Sequence, residues 1–215
     1  VPGMYPYLDT YIQMVDTPPI NNRPTQSRLY GLLRTSDIFI FVADLTNNPL
    51  TQIENYFSEL SEWGFKLINH TEKTDTTDLM TTKPTIILCN KADIPGALDE
   101  YQTVEQNYGT KFPIIMASAQ DDVGIDDLGP IIFNTLDIMR IYTKSPREKL
   151  SDFKKKDPII LPTGSTVIDA ATQVHKDLSK QLKYAVLWGE SGKFKGQRVG
   201  RGHTLIDGDI IEIHN

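Results

Sequence analysis

A chain of 215 residues, 39% hydrophobic and 23% charged, is ordinary folding material, long enough for one large domain or two small ones. A formal net charge of -6 excludes a protein that grips nucleic acid over its whole surface, although a local basic patch remains compatible with it. The single cysteine, Cys89, excludes a disulfide framework and fits a reducing, cytoplasmic setting, and no apolar run reaches the length of a membrane span.

In chain order, Val1-Pro2-Gly3-Met4 has the composition of a turn, and residues 11–16 read as a strand ending in the carboxylate of Asp16. Thr17-Pro18-Pro19-Ile20 forbids regular structure, and residues 21–26 read as a mobile polar loop. Residues 27–34 have helical character and 38–44 are a continuous apolar strand run. Asn48-Pro49 opens a helix to about Trp63, with Ile53, Phe57 and Leu60 on its core face. Residues 69–83, dominated by Thr, Asp and Lys, predict a surface excursion. Then come a buried strand from Pro84, a helix over 98–107 closed by Gly109, a buried strand over 112–119 and a helix over 125–139. Alternating strands and helices predict an α/β fold with a mostly parallel sheet and helices on both faces.

The strand from Pro84 empties into Asn90-Lys91-Ala92-Asp93, at the carboxyl end where open α/β sheets hold their ligands. Asn, Lys and Asp are also ordinary turn residues. They nevertheless have a definite chemical use here. The Asp93 carboxylate can accept two hydrogen bonds from a planar donor pair, which guanine offers in its ring N–H and exocyclic amine and adenine does not. Asn90 can tie neighbouring loops together, and the aliphatic stem of Lys91 can lie along the face of a base. Ser118-Ala119, ending the following strand, is placed for a backbone N–H to meet the guanine carbonyl. Asp16, at a strand end before a mobile loop, suits Mg²⁺ held through water beside a terminal phosphate.

These segments resemble the guanine-nucleotide-binding domain of Obg-type GTPases, in particular the developmentally regulated GTP-binding protein branch. Val1-Pro2-Gly3, the run from Ile12 to Pro18 and Arg34-Thr35-Ser36-Asp37 are similar to the surroundings of that family's switch II. The resemblance implies a GTP or GDP site with Mg²⁺: Asn90, Lys91, Asp93, Ser118 and Ala119 on the base, and Asp16, Thr17, Pro18 and Pro19 in switch II on the phosphate side. The family's Gly-x-x-x-x-Gly-Lys-Ser/Thr loop, which cradles the phosphates, does not occur in these residues. Residues 1–140 are thus expected to be a truncated G domain from a longer protein, inactive alone, with GTP hydrolysis belonging to the parent. Pro19 stands where the family has a glycine whose N–H reaches the γ-phosphate, and proline has none to give.

From about Ile141 the sequence turns charged and irregular, predicting a linker over 141–157. A short strand over 158–162, a helix opened by Thr166 and Asp169 at capping-box spacing, a strand over 184–188, a glycine-rich hairpin over 190–202 and a strand over 210–213 follow. That order is a small β-grasp, and residues 158–215 resemble a TGS domain. The resemblance implies docking on RNA, the ribosome or a regulatory protein; the chain is expected to be a monomer and to stay off membranes. Lys193, Lys195, Arg198 and Arg201 lie close together in the hairpin and can meet phosphates by charge, or merely keep a sheet edge soluble. His175 and His203 lack metal-ligand spacing, and Trp188 reads as a core residue. Two functions stay open: a GTPase switch in translation, and a non-catalytic binding module with a residual nucleotide site.

Overall fold

Pro2–Tyr7 (β1) and Thr10–Val15 (β2) form an antiparallel hairpin, registered from Pro2↔Val15 to Tyr7↔Thr10. The computed structural model describes residues 2–20, 26–69, 80–155 and 157–215. Residues 2–4, read from sequence as a turn, are therefore strand. Proline is tolerated in a two-stranded ribbon, where an edge N–H needs no partner, and the turn falls at Leu8, whose φ is 52°. Most of the polar loop expected over 21–26 lies outside the described residues.

Two units divide the fold, one of residues 16–136 and one joining the hairpin to residues 137–215. In the first, Gln26–Thr35 (α1), Phe39–Asp44 (β3), Pro49–Glu62 (α2), Phe65–Ile68 (β4), Thr81–Asn90 (β5), Ala97–Tyr108 (α3), Ile114–Met116 (β6) and Leu128–Leu136 (α4) alternate as expected. All strand pairs are parallel, and β5 is their hub. It runs beside β3 from Phe39↔Thr85 to Asp44↔Asn90, beside β4 from Phe65↔Thr81 to Ile68↔Pro84, and beside β6 from Ile87↔Ile114 to Cys89↔Met116. Helices α2 and α3 bury Ile53 and Val104 against Ala43, Ile87 and Cys89, each large aliphatic contributing about 1.5–3 kcal/mol by leaving water. Burial pushes the Cys89 thiol up to about 12, so it behaves as a small core residue.

The strand β5 begins three residues before Pro84, inside the stretch expected to be a surface excursion; residues 70–79 lie outside the described residues. Burying Lys83 there depends on the end of α1. Its ammonium donates to the Arg34 carbonyl at 2.9 Å and to the Ser36 carbonyl, groups that the helix leaves without partners and that favour a cation. Desolvation lowers the Lys83 pKa from its usual value.

The helix predicted over 125–139 is shorter. It stops at Leu136, Asp137 takes a φ of 51°, and Ile138–Thr143 (β7) is a strand. This strand pairs antiparallel with Ile159–Pro162 (β8) and parallel with Ile210–His214 (β11), so the second sheet takes in residues read as helix end and linker. Tyr184–Trp188 (β9) and Gln197–Val199 (β10) complete the order β10-β9-β11-β7-β8. Val167–Val174 (α5) packs Val167, Ala170 and Ala171 onto Met139, Ile141, Leu187 and Ile211. Its start is capped as the sequence predicts: the Asp169 carboxylate accepts the Thr166 N–H at 2.8 Å and hydroxyl at 2.6 Å. Val174 is exposed, and His175 caps a short second helix, Lys176–Gln181 (α6), by accepting the Asp177 N–H at 3.1 Å.

The sheet face opposite α5 carries charge. Lys144 is only 5% exposed, yet its ammonium pairs with Glu212, donates to the Ser145 and Glu148 carbonyls at 2.8 and 2.7 Å, and lies 5.1 Å from the Trp188 ring centroid. Glu212 in turn meets His214 Nε2 at 2.7 Å. On strand β7, Arg140 bridges Asp207 at 2.7 Å and Asp9 of the hairpin turn at 3.3 Å, and the Tyr142 hydroxyl donates to Asp9.

Candidate functional site

The carboxyl ends of β3, β5 and β6 bring together most of the residues singled out for base recognition. Because β5 is parallel to β3 and β6, its last residue, Asn90, lies in register with Asp44, and the loops leaving β5 and β6 emerge at one edge. They are stitched by backbone bonds: Ala117 N–H to Cys89 O at 2.8 Å, and Ala92 N–H to Ala117 O at 3.0 Å.

Side chains complete the stitching. The Ser118 hydroxyl, fully buried, donates to Asp93 Oδ1 at 2.6 Å and accepts the Asp121 N–H at 3.1 Å. Asn90 Oδ1 accepts the Ala119 N–H at 3.0 Å. Asn90 thus ties the loops as its chemistry suggested. Asp93 is exposed, with one oxygen held by Ser118 and no further hydrogen bond among the described residues. A base carbonyl arriving at Ala119 would have to share its N–H with Asn90.

Behind Ser118 the chain turns back through a bridge between Ser118 and Val123, and Gly124 follows at a φ of 74°. A Cβ there would sit 2.2 Å from the Met116 carbonyl oxygen. Gly124→Ala is therefore expected to cost about 2 kcal/mol of stability, because both the left-handed backbone and the clash oppose it. Thermal unfolding checks this, and an unchanged midpoint would contradict it.

Lys91 does not stand free. Its ammonium pairs with Asp44 Oδ2 at 2.7 Å, with 48% of the lysine side chain and 32% of the aspartate side chain exposed. Hydrogen bonds from Lys91 first, then from the Thr46 hydroxyl and N–H, bring the Asp44 pKa down to about 2. Sequence reasoning missed Asp44, Thr46 and Gln52. The available signal was an acid ending the strand run over 38–44, matched in length to the run ending at Asn90.

Asp16, Thr17, Pro18 and Pro19 form an exposed segment without regular structure after β2, and no hydrogen bond links Asp16 to the base-site loops among the described residues. No group of three or more His, Cys, Asp or Glu among the described residues forms a candidate metal cluster. One exposed carboxylate suits water-mediated contact with an ion carried by phosphates, not a site that holds the ion unaided.

Comparison with known proteins bears on both units. The TGS domain family matches residues 139–215. These residues are a TGS domain. The match begins on β7, so the strand that departs from the sequence reading is part of it. Over 60% of its length the chain is 37% identical to an uncharacterized GTP-binding protein of Methanocaldococcus jannaschii, of which it covers 32%. Developmentally-regulated GTP-binding protein 1 of Xenopus laevis is also 37% identical over 60% of the chain, which covers 34% of that protein. The chain thus spans about a third of these relatives. Among solved structures, a GTP-binding protein from Pyrococcus horikoshii superposes with a TM-score of 0.68 at 17% identity, covering 100% of this chain and 87% of that one. That likeness concerns the fold alone.

In the TGS domain, Lys193, Lys195, Arg198 and Arg201 are all exposed. Arg198 lies 3.6 Å over the Tyr184 ring, and Arg201 donates to the Ser179 carbonyl at 3.1 Å. Lys193 and Lys195 have no ion pair among the described residues. His203 meets the Ser191 hydroxyl at 3.1 Å, a loop contact, and no described helix is long and apolar enough to cross a membrane.

Proposed function

We propose that residues 16–136 bind a guanine nucleotide, reading the base with Asn90, Lys91, Asp93, Ser118 and Ala119. The observation that carries this reading is the hydrogen bond of 2.6 Å from Ser118 to Asp93, which orients a solvent-facing carboxylate at the carboxyl edge of a parallel sheet. One of its oxygens is fixed by the serine, and the carboxylate faces outward to take the paired N–H groups of guanine. The names of the related proteins support the same ligand. On the phosphate side, Asp16 would reach Mg²⁺ through water, and the ion would neutralise phosphate charge; Thr17, Pro18 and Pro19 form the segment beside it. GTP hydrolysis belongs to the longer protein, working in the cytoplasm, while the TGS domain docks it on RNA, the ribosome or a regulatory protein through Lys193, Lys195, Arg198 and Arg201.

A second reading is favoured by one observation: these 215 residues contain no Gly-x-x-x-x-Gly-Lys-Ser/Thr loop, so this chain alone has no phosphate cradle of that kind. It would then serve as a binding module whose activity rests on the TGS domain. Calorimetric titration with GDP, guanosine and ADP separates the two. Binding of GDP and guanosine but not ADP supports the guanine site; equal binding of GDP and ADP, or binding of none of the three, would sink it.

A further inference from the structure

The loop that carries Asp93 leaves β5 through an uncommon backbone conformation, with Lys91 at a φ of 71°. Such strain persists only where surrounding contacts fix it, and here the far end of the lysine is fixed as well. Its ammonium is 2.7 Å from Asp44 Oδ2.

Asp44 is itself tightly held. Its Oδ1 accepts the Thr46 N–H at 2.9 Å and the Thr46 hydroxyl at 2.7 Å. Its backbone N–H donates to Gln52 Oε1 at 3.1 Å, and its carbonyl accepts Gln52 Nε2 at 2.9 Å. The same Nε2 reaches Asn47 O at 2.6 Å, so α2 pins the whole turn after β3. An exposed lysine otherwise samples many rotamers. Held at both ends, its four methylenes become an apolar ledge two residues from Asp93 in sequence.

We propose that Asp44 is a positioning residue of the base site: it anchors Lys91 so that the lysine stem supports the flat face of a purine, raising affinity without selecting the base. This rests on the guanine reading above. Selection stays with Asp93, which alone meets the exocyclic amine that distinguishes guanosine from inosine.

The test is calorimetric titration of the chain, Asp44→Asn and Asp44→Glu with guanosine and with inosine. Asparagine can still accept both Thr46 hydrogen bonds but loses the charge that holds Lys91. Asp44→Asn is expected to weaken both nucleosides about two- to fivefold, the range for a partly exposed ion pair, leaving their ratio unchanged. Asp44→Glu, which keeps the charge, should recover part of the loss. In a Lys91→Met background, Asp44→Asn should have no further effect. Unchanged affinities, a changed guanosine-to-inosine ratio, or an undiminished effect in the Lys91→Met background would overturn the proposal while leaving the guanine reading intact. Failure of the unsubstituted chain to bind either nucleoside would defeat the guanine reading and this proposal with it.

Discussion

Asp93→Ala is expected to weaken guanosine or GDP binding by two to four orders of magnitude. Each charge-assisted hydrogen bond from a guanine N–H to the carboxylate contributes about 1.5–3 kcal/mol, so losing both removes about 3–6 kcal/mol. The fold should lose about 1–3 kcal/mol, less than the binding does. Asp93 is exposed, but the buried Ser118 hydroxyl loses the acceptor of its proton and keeps only the Asp121 N–H, which it accepts. Calorimetry measures the binding loss and thermal unfolding the smaller loss of stability; binding retained within a factor of three, as a rough allowance for a surface contact, would remove Asp93 from the site.

The largest stability effect is expected at the other end of the chain. Lys144→Ala removes the cation facing Glu212 and leaves a buried carboxylate with only the His214 contact, a change that costs up to about 3–5 kcal/mol. Replacing both partners with apolar residues of similar volume, Lys144→Met with Glu212→Leu, should recover much of that loss, because no charge remains buried. The pH dependence follows from the sign of the Glu212 shift. Burial raises its pKa, but the Lys144 and His214 contacts outweigh this and hold it below the usual glutamate value. A depressed carboxyl stabilises the fold above its unfolded pKa of about 4.3, and that stabilisation is lost as pH falls through the lower folded value. In Lys144→Ala the remaining carboxyl loses its largest favourable contact, so the gap between variant and parent should narrow in acid. Chemical unfolding at pH 7 and at pH 4 reads this, and a gap that widens in acid would contradict it.

What the sequence reveals depends on how far away the deciding partners lie. The buried run from Thr85 to Cys89 and the polar quartet after it signal strand and loop locally, and the structure bears out both. Ser118 was legible for the same reason, as the end of a second apolar run. By contrast, Lys83 reads as surface because its partners are carbonyls at Arg34 and Ser36, nearly fifty residues earlier. Residues 138–143 suit a helix end or a strand, and only pairing with residues 159–162 and with Ile210 and Ile211 decides. Pro2 and Gly3 suggest a turn until β2 supplies a register. Asp44 was hidden for a related reason: its role appears only when parallel pairing aligns it with Asn90.

Nuclear magnetic resonance titration of the isotopically labelled chain with guanosine and with adenosine tests the central claim most directly. Guanosine should produce saturable shifts at the backbone amides of Lys91, Asp93, Ser118 and Ala119, with adenosine leaving them in place. Shifts of equal size with adenosine, or guanosine shifts confined to other parts of the chain, would contradict the account.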